Sequence, residues 1–489
     1  MIMIGNELGI RDIINVSRKL EKVSLSEDAR NKIRRSRRIL EQLISSNVKI
    51  YGVNTGLGEL YNVSVKPDDI VNESINLLIE HAMGIGESAP KDWVRATILI
   101  RAHQLSLGYS GVRETIVDQL LEFLNKNVIP VVPKYGSVGA SGDLAPLSHI
   151  ALALVGKGYV QISNSITTSE EALKKLGIEP LKLSYKEAIS LINGTSYSAG
   201  VSILGLYDSL ELVKAFIAIF TLILDSINTN ISPCTTIVNS IKKHKGQLAV
   251  AKTIEKMLKD KEINIINRVQ DPYSIRCIPQ IVGPILDSLL WSISNVINEI
   301  NSASDNPVII NSSSHSSCHF HGEYIALSTD LANESMTILG NLIERLITQL
   351  LRADINKISN YLAKSPSSVG YMITQYTAAS LTSKLRELAV PSTIHNIPTS
   401  GVQEDVNSMS ANSAVKLHEV NLIISQLISI LALITYLISK DKKLTAQTQK
   451  IYETIKASVE NAHTFQDTIK KLGNVTSELA EMIQLENVP

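Results

Sequence analysis

Residues 133–149 read PKYGSVGASGDLAPLSH. Gly136, Gly139 and Gly142 recur every third residue with small residues between them. Spacing alone favours a loop entering a helix, with Ser141 or Asp143 as the cap and Pro146 in the first turn of an apolar helix over 144–156. No Lys-Ser/Thr follows, so this is not a phosphate loop, and the order Gly139-Ala140-Ser141-Gly142 is not the Gly-x-Ser-x-Gly of a serine nucleophile. Residue identity opens a second reading. The amide nitrogen of Gly142 can reach back to the carbonyl carbon of Ala140, because glycine has no side chain to obstruct the attack. Closure with loss of water, and dehydration of Ser141, would give a five-membered ring bearing an exocyclic methylene, which is a strong electrophile.

Outward from this loop the chain is dominated by helical periodicity. Apolar residues recur at three- and four-residue spacing through 9–46, 70–83, 91–125, 143–156, 204–231, 281–302, 325–363, 411–440 and 446–485. Strand-like runs are short, at Val48–Val53, Tyr159–Ile162 and Pro307–Ile310, and Gly, Pro and Ser punctuate 52–58, 133–146, 304–322 and 389–403. The expected fold is mainly α: a smaller mixed N-terminal lobe over 1–200 carrying the loop, then a long-helix bundle over 201–489. Val420–Ser439 is apolar nearly all round and long enough to span a bilayer. Comparable stretches at Ala215–Ile231 and Ile281–Ile300 are interrupted by charge, which favours a buried central bundle over a membrane.

Lysine plus arginine (47) equals aspartate plus glutamate (47), so a nucleic-acid partner is not expected. The most basic run, residues 32–38, alternates with apolar residues and reads as a solvated helix face. Three well-separated cysteines, Cys234, Cys277 and Cys318, fit a reducing compartment. The first residues, MIMIGNELGIRDII, reach charge too early for a signal peptide, and a cytoplasmic location is expected. His315, Cys318, His319 and His321 match no zinc spacing, so no metal is expected.

GSVGASGDLAPLSH closely resembles the signature of the aromatic amino-acid ammonia-lyase and aminomutase family. In that family the Ala-Ser-Gly triplet, here Ala140-Ser141-Gly142, becomes 4-methylidene-imidazol-5-one (MIO) without an external cofactor. The resemblance implies an ammonia-lyase/fumarase-like helical fold. It extends to YGVNTGLGEL (51–60), LINGTSYS (191–198), RVQDPYSIRCIPQ (268–280), SASDNPVII (302–310) and CHFHGEY (318–324). Taken alone, Tyr51 is an ordinary half-buried tyrosine, Asn193 a turn residue before Gly194 and Arg276 a surface arginine. The resemblance gives them other roles. Tyr51 becomes the base that takes the substrate β-proton, and Asn193 an amide at the ring or substrate amine. Arg276 becomes a planar fork for the substrate carboxylate. Tyr273 and Gln270 stand beside the ring, and Phe320 is an aromatic lid.

Two further segments bear on the substrate. IEHAMGIG (79–86) puts His81 where histidine-type members carry histidine, although Glu80 departs from their serine. GVQEDVNSM (401–409) carries the Gln-Glu-Asp of histidine-type members. Glu404 suits an imidazole, whose N–H a carboxylate can accept, and is costly beside a phenyl ring. Val406-Asn407 looks instead like the phenylalanine branch. Ser196 replaces a common glutamine, and His103 and His319 replace asparagines. The implied activity is deamination of L-histidine to trans-urocanate and ammonia, by a homotetramer whose active sites are shared between subunits. The alternatives are a tyrosine or phenylalanine lyase, an aminomutase, or a non-catalytic helical scaffold.

Overall fold

The first expected helical segment, 9–46, folds as two helices because the polar run 18–22 interrupts its apolar stripe. Ile10–Ser17 buries Ile10, Ile13, Ile14 and Val16. The chain then turns through Leu20, held at φ 58°, and Val23–Leu25 pairs in parallel with Ile2–Ile4, with Ile2 opposite Val23. Glu27–Ser45 starts at Ser26, whose hydroxyl accepts from the amide of Ala29 at 3.2 Å, a standard N-cap. The computed structural model describes residues 1–55, 70–227, 229–261 and 269–485. Part of the YGVNTGLGEL segment, including Gly56 and Gly58, lies outside the described residues.

The chain divides into two compact units. Unit one is Met1–Leu204 with Ile293–Asp330 and Ser392–Val415; unit two is Gly205–Ser292 with Leu331–Pro391 and Lys416–Pro489. Unit one thus adds two later segments that a contiguous two-lobe reading assigns to the helical half. At its centre, Lys91–Ser106 is buried along almost its whole length, although it carries two arginines and a histidine. Arg95 donates to the carbonyls of Val16 at 2.8 Å and Leu124 at 3.1 Å, closing the C-terminal ends of Ile10–Ser17 and Glu114–Lys126. Carbonyls in the last turn of a helix lack the usual partner four residues on, and the Leu124 oxygen accepts from Asn127 N at 3.2 Å as well. Short antiparallel pairs complete the unit. Ile85–Ser88 pairs with Pro133–Tyr135 immediately before the glycine-rich loop, and Val128–Pro130, Tyr159–Ile162 and Ser165–Thr168 form a three-stranded sheet.

The strand expected over Val48–Val53 is a turn instead. Asn54 occupies its backbone: the side chain accepts from Ile50 N and donates to Val48 O, each at 2.8 Å, so those groups have no need of a partner strand. Ile50 and Val53 still reach the core, packing with Leu40 and Ile309.

Unit two is helical. Lys245–Met257 meets Ile278–Ile300 at Gly246 and Gly283, where a Cβ on Gly246 would come within 2.3 Å of the Gly283 carbonyl oxygen. Ser410–Ser439 contains the apolar stretch over Val420–Ser439. By length and composition this helix and Ile278–Ile300 can both cross a membrane, a test that core helices of soluble proteins also pass. Of the most apolar window, 78% is buried against protein in Ser410–Ser439 and 44% in Ile278–Ile300. Each fully buried leucine or isoleucine along such a helix contributes about 1.5–3 kcal/mol.

Candidate active site

Two left-handed glycines shape the loop 136–143. Gly139 has φ +64° and Gly142 φ +76°. A Cβ on Gly142 would lie 2.5 Å from the carbonyl oxygen of Gly194, and the amide of Asp143 donates to that same oxygen at 2.8 Å. A Cβ on Gly139 would meet the hydroxyls of Ser408 and Ser410 at 2.3 Å each. Gly142 is thus closed to a side chain by backbone, whereas a side chain at Gly139 would be strained by its φ and would have to displace two serine hydroxyls. Ser408 Oγ donates to Gly139 O at 2.9 Å and Met409 N to Val138 O at 2.8 Å, fastening the loop to the segment after Glu404.

Asp143 stands before the Leu144–Leu154 helix without capping it through its side chain. Its carboxylate accepts from Ser137 Oγ at 2.8 Å, Ser198 N at 2.7 Å and Ser198 Oγ at 2.9 Å. The capping role that spacing suggested is thus replaced by a tie from the loop to the Ser196–Ser226 helix. Burial pushes the Asp143 carboxyl above the usual range, and these hydrogen bonds pull against that shift.

Asn193 closes the Glu187–Ile192 helix, and a buried arginine fixes its backbone. Arg101 donates to the carbonyls of Ser190, Asn193 (3.3 Å) and Ser304 (2.7 Å). Burial lowers the Arg101 pKa to about 10, against the pull of Asp305 and Asp143. Lys186 and Asp305, both buried, pair at 2.8 Å behind this turn, and Ser190 Oγ donates to Asp305 at 2.8 Å. The Asn193 side chain is left to face the loop, where Nδ2 donates to the Ser141 carbonyl at 2.8 Å. Its Oδ1 is buried without a hydrogen-bond partner among the described residues.

Glu404 meets the same residue from the other side. The Ser141 hydroxyl donates to Glu404 Oε1, and Thr399 Oγ1 donates to Oε2 at 2.7 Å. Ala140, the residue before Ser141, is buried at 6% exposure. Phe320, half-buried, lies in the turn before Glu323–Leu350. That turn packs on the segment that holds Gly139, since a Cβ on Gly322 would come within 2.4 Å of Ser410 Oγ. His81 ends the Ile70–His81 helix, and its Nδ1 lies 2.8 Å from Leu77 O. A carbonyl only accepts, so Nδ1 carries the hydrogen of this bond. Tyr51 is half-buried at the start of its turn.

The remaining expected residues form a second cluster, in unit two. Gln270, Tyr273 and Arg276 line a cavity of about 450 Å³ with Arg352 and Asp354. The Arg276 guanidinium carbon lies 4.8 Å from the centre of the Tyr273 ring, and Tyr273 is 69% exposed. Arg276 Nε is buried without a partner among the described residues, a donor set up for an anion. Arg352 is by contrast paired with Asp354 through two contacts at 3.0 Å.

Of the departures, His103 is a core residue. Its Nδ1 accepts from Gly5 N at 3.4 Å and its Nε2 donates to Asn301 Oδ1 at 3.0 Å, tying down the N-terminal strand. His321 Nε2 donates to Val406 O at 2.9 Å. No three of His, Cys, Asp and Glu gather as metal ligands among the described residues. Sequence reading missed Arg101, Asp305 and Thr399. Arg101 and Asp305 reach their partners across 89 to 203 residues of chain, and Thr399 is unremarkable by type.

The model of the family described as aromatic amino acid lyase matches residues 8–457. The chain belongs to the aromatic amino acid lyase family. This lyase is 40% identical over 420 residues to a probable histidine ammonia-lyase of Thermoplasma volcanium, covering 85% of each chain. Among solved structures it superimposes on the phenylalanine aminomutase of Pantoea agglomerans with a TM-score of 0.92 at 29% identity, covering 98% of this lyase and 99% of that chain. It also matches the histidine ammonia-lyase of Trypanosoma cruzi with a TM-score of 0.91 at 26% identity, covering 98% and 94%. The mainly helical fold is that of these enzymes, and the family makes the chain a carbon–nitrogen lyase.

Proposed function

We propose that this lyase removes ammonia from L-histidine to give trans-urocanate, using an electrophile built from Ala140, Ser141 and Gly142. One observation carries the reading: Ser141 is held between Asn193, which donates to its carbonyl, and Glu404, which accepts from its hydroxyl. Forming the ring joins Gly142 N to the carbonyl carbon of Ala140 with loss of one water, and Ser141 loses its hydroxyl and α-hydrogen as a second. The residues fit such a ring. Gly142 is free of a Cβ where the chain is tightest, and Asn193 brings both an N–H to the one carbonyl that survives in the ring and an unpartnered buried oxygen. The ring would supply a methylidene carbon that turns the substrate amine into a competent leaving group.

The chain's own residues do the rest. Asn193 polarises the Ser141 carbonyl by its hydrogen bond. Dehydration removes the hydroxyl that donates to Glu404 Oε1, leaving that oxygen as a vacant acceptor. The neutral His81 ring offers Nε2 as a second acceptor, and the two together suit the two N–H groups of an imidazolium. A phenyl ring offers no N–H, and would leave the carboxylate desolvated and unpaired. The orphan Nε–H of Arg276 suits the substrate carboxylate. Tyr51 is the candidate base for the β-proton. A phenol titrates near ~10, so orientation and local positive potential must carry much of that step. In line with the family resemblance, we read the working enzyme as a cytoplasmic homotetramer whose subunits share each site.

Purified protein offered L-histidine, L-tyrosine and L-phenylalanine separately is expected to release ammonia and build up urocanate absorbance with histidine alone. Cinnamate, coumarate or a β-amino acid as the main product would overturn the reading in favour of another lyase or an aminomutase. No turnover of any of the three would favour a non-catalytic scaffold.

A further inference from the structure

Glu404 ends a directed chain of hydrogen bonds that begins at Asn407. The Asn407 side chain is 2% exposed, and its two N–H groups go to the carbonyl of Ile397 and to Thr399 Oγ1, the latter at 3.2 Å. Turning the amide over would set Oδ1 against the Ile397 carbonyl, two acceptors face to face, so the orientation is fixed. A hydroxyl has one hydrogen. With a donor arriving at its oxygen, Thr399 must direct that hydrogen to Glu404 Oε2, 2.7 Å away. One carboxylate oxygen is thereby committed and the other points to Ser141.

The backbone holds this arrangement. Thr399 N donates to Glu404 O at 3.0 Å and Glu404 N to Thr399 O at 3.3 Å, closing a loop whose Ser400, Gly401 and Val402 all lie at positive φ (48°, 58° and 61°). Asn396 brackets the far side, donating to Asp405 O at 2.8 Å and accepting from Asn407 N at 2.7 Å. His321 holds Val406 O at 2.9 Å. A non-glycine residue at positive φ is costly, and two of them in one short loop persist where surrounding bonds impose them.

We infer that Thr399 and Asn407 are positioning residues for substrate specificity, which commit one oxygen of Glu404 and reserve the other for an N–H of the substrate ring. The inference rests on the histidine reading above. It gives a use to Asn407, one of the residues at which this chain departs from histidine-type members.

The test compares Thr399→Val and Thr399→Ser with the wild type, scoring intact mass, melting temperature, and KM and kcat for L-histidine. Thr399→Val keeps the side chain's shape and removes the hydroxyl. It is expected to retain the wild-type mass, with a slightly lower melting temperature because the buried Asn407 N–H loses its partner, while kcat/KM falls about tenfold or more, mainly through KM, as for loss of a hydrogen bond to a charged group. Thr399→Ser is expected to stay within about twofold of wild type, since it restores the hydroxyl. A loss confined to kcat with KM unchanged would mean a smaller fraction of intact enzyme and would overturn the inference. So would a Thr399→Val enzyme equal to wild type, or a Thr399→Ser enzyme as impaired as Thr399→Val. Absence of histidine turnover in the wild type itself overturns the histidine reading, and this inference with it.

Discussion

His103 shows how a residue can resemble chemistry and serve packing. Its neutral ring accepts from Gly5 and donates to Asn301, which also binds both backbone groups of Leu8. Burial drives its pKa down to about 4, only partly opposed by the bond to Asn301. In the unfolded chain the same side chain titrates near ~6.5. Above that pH neither state takes the proton and the full stability is present. As pH falls from ~6.5 to ~4 the unfolded chain protonates first, so folding weakens by up to about 3 kcal/mol. Asparagine, which the family resemblance puts here, can make both bonds without titrating. His103→Asn is therefore expected to flatten the fall in melting temperature between pH 7 and pH 4, measured in parallel with wild type, by an amount near that figure. An unchanged acid limb would mean that other groups dominate it.

Among the elements, the Lys91–Ser106 helix matters most to the candidate site although it supplies none of the expected reacting groups. Arg101 reaches from it to the carbonyls that end the Glu187–Ile192 helix, and so sets the turn at Asn193. Arg101→Met leaves those carbonyls unpaired in the core and is expected to cost about 3 kcal/mol or more in chemical denaturation. The surviving folded protein should carry a smaller ring-bearing fraction by intact mass. Equal stability to wild type would show that the turn holds itself. Little of this was legible in the sequence. The long helices were, because their apolar spacing is local, and so was the Ala140-Ser141-Gly142 loop, because its residue types are unusual together. The strand expected at Val48–Val53 failed because one side chain, Asn54, took the backbone bonds that a strand would have used. Arg101 could not be found because its importance depends on which distant carbonyls folding brings to it, and Thr399 because nothing in its residue type says that its hydroxyl meets Glu404.

At the scale of the whole molecule, six of the expected site residues gather in two clusters, one in each compact unit. Unit one gathers Ser141, Asn193 and Glu404 by direct hydrogen bonds. Unit two gathers Gln270, Tyr273 and Arg276 around a cavity, with the Arg276 Nε donor unpartnered among the described residues. The proposed reaction needs both an electrophile from the first cluster and a carboxylate anchor from the second. That proposal depends on the electrophile being made at all. Mass spectrometry of the intact purified chain tests it most directly. Wild-type protein is expected to be two waters lighter than its sequence, and Ser141→Ala to lack the dehydration of residue 141 and almost all turnover. A wild-type chain at its full sequence mass, folded and soluble, would contradict the account.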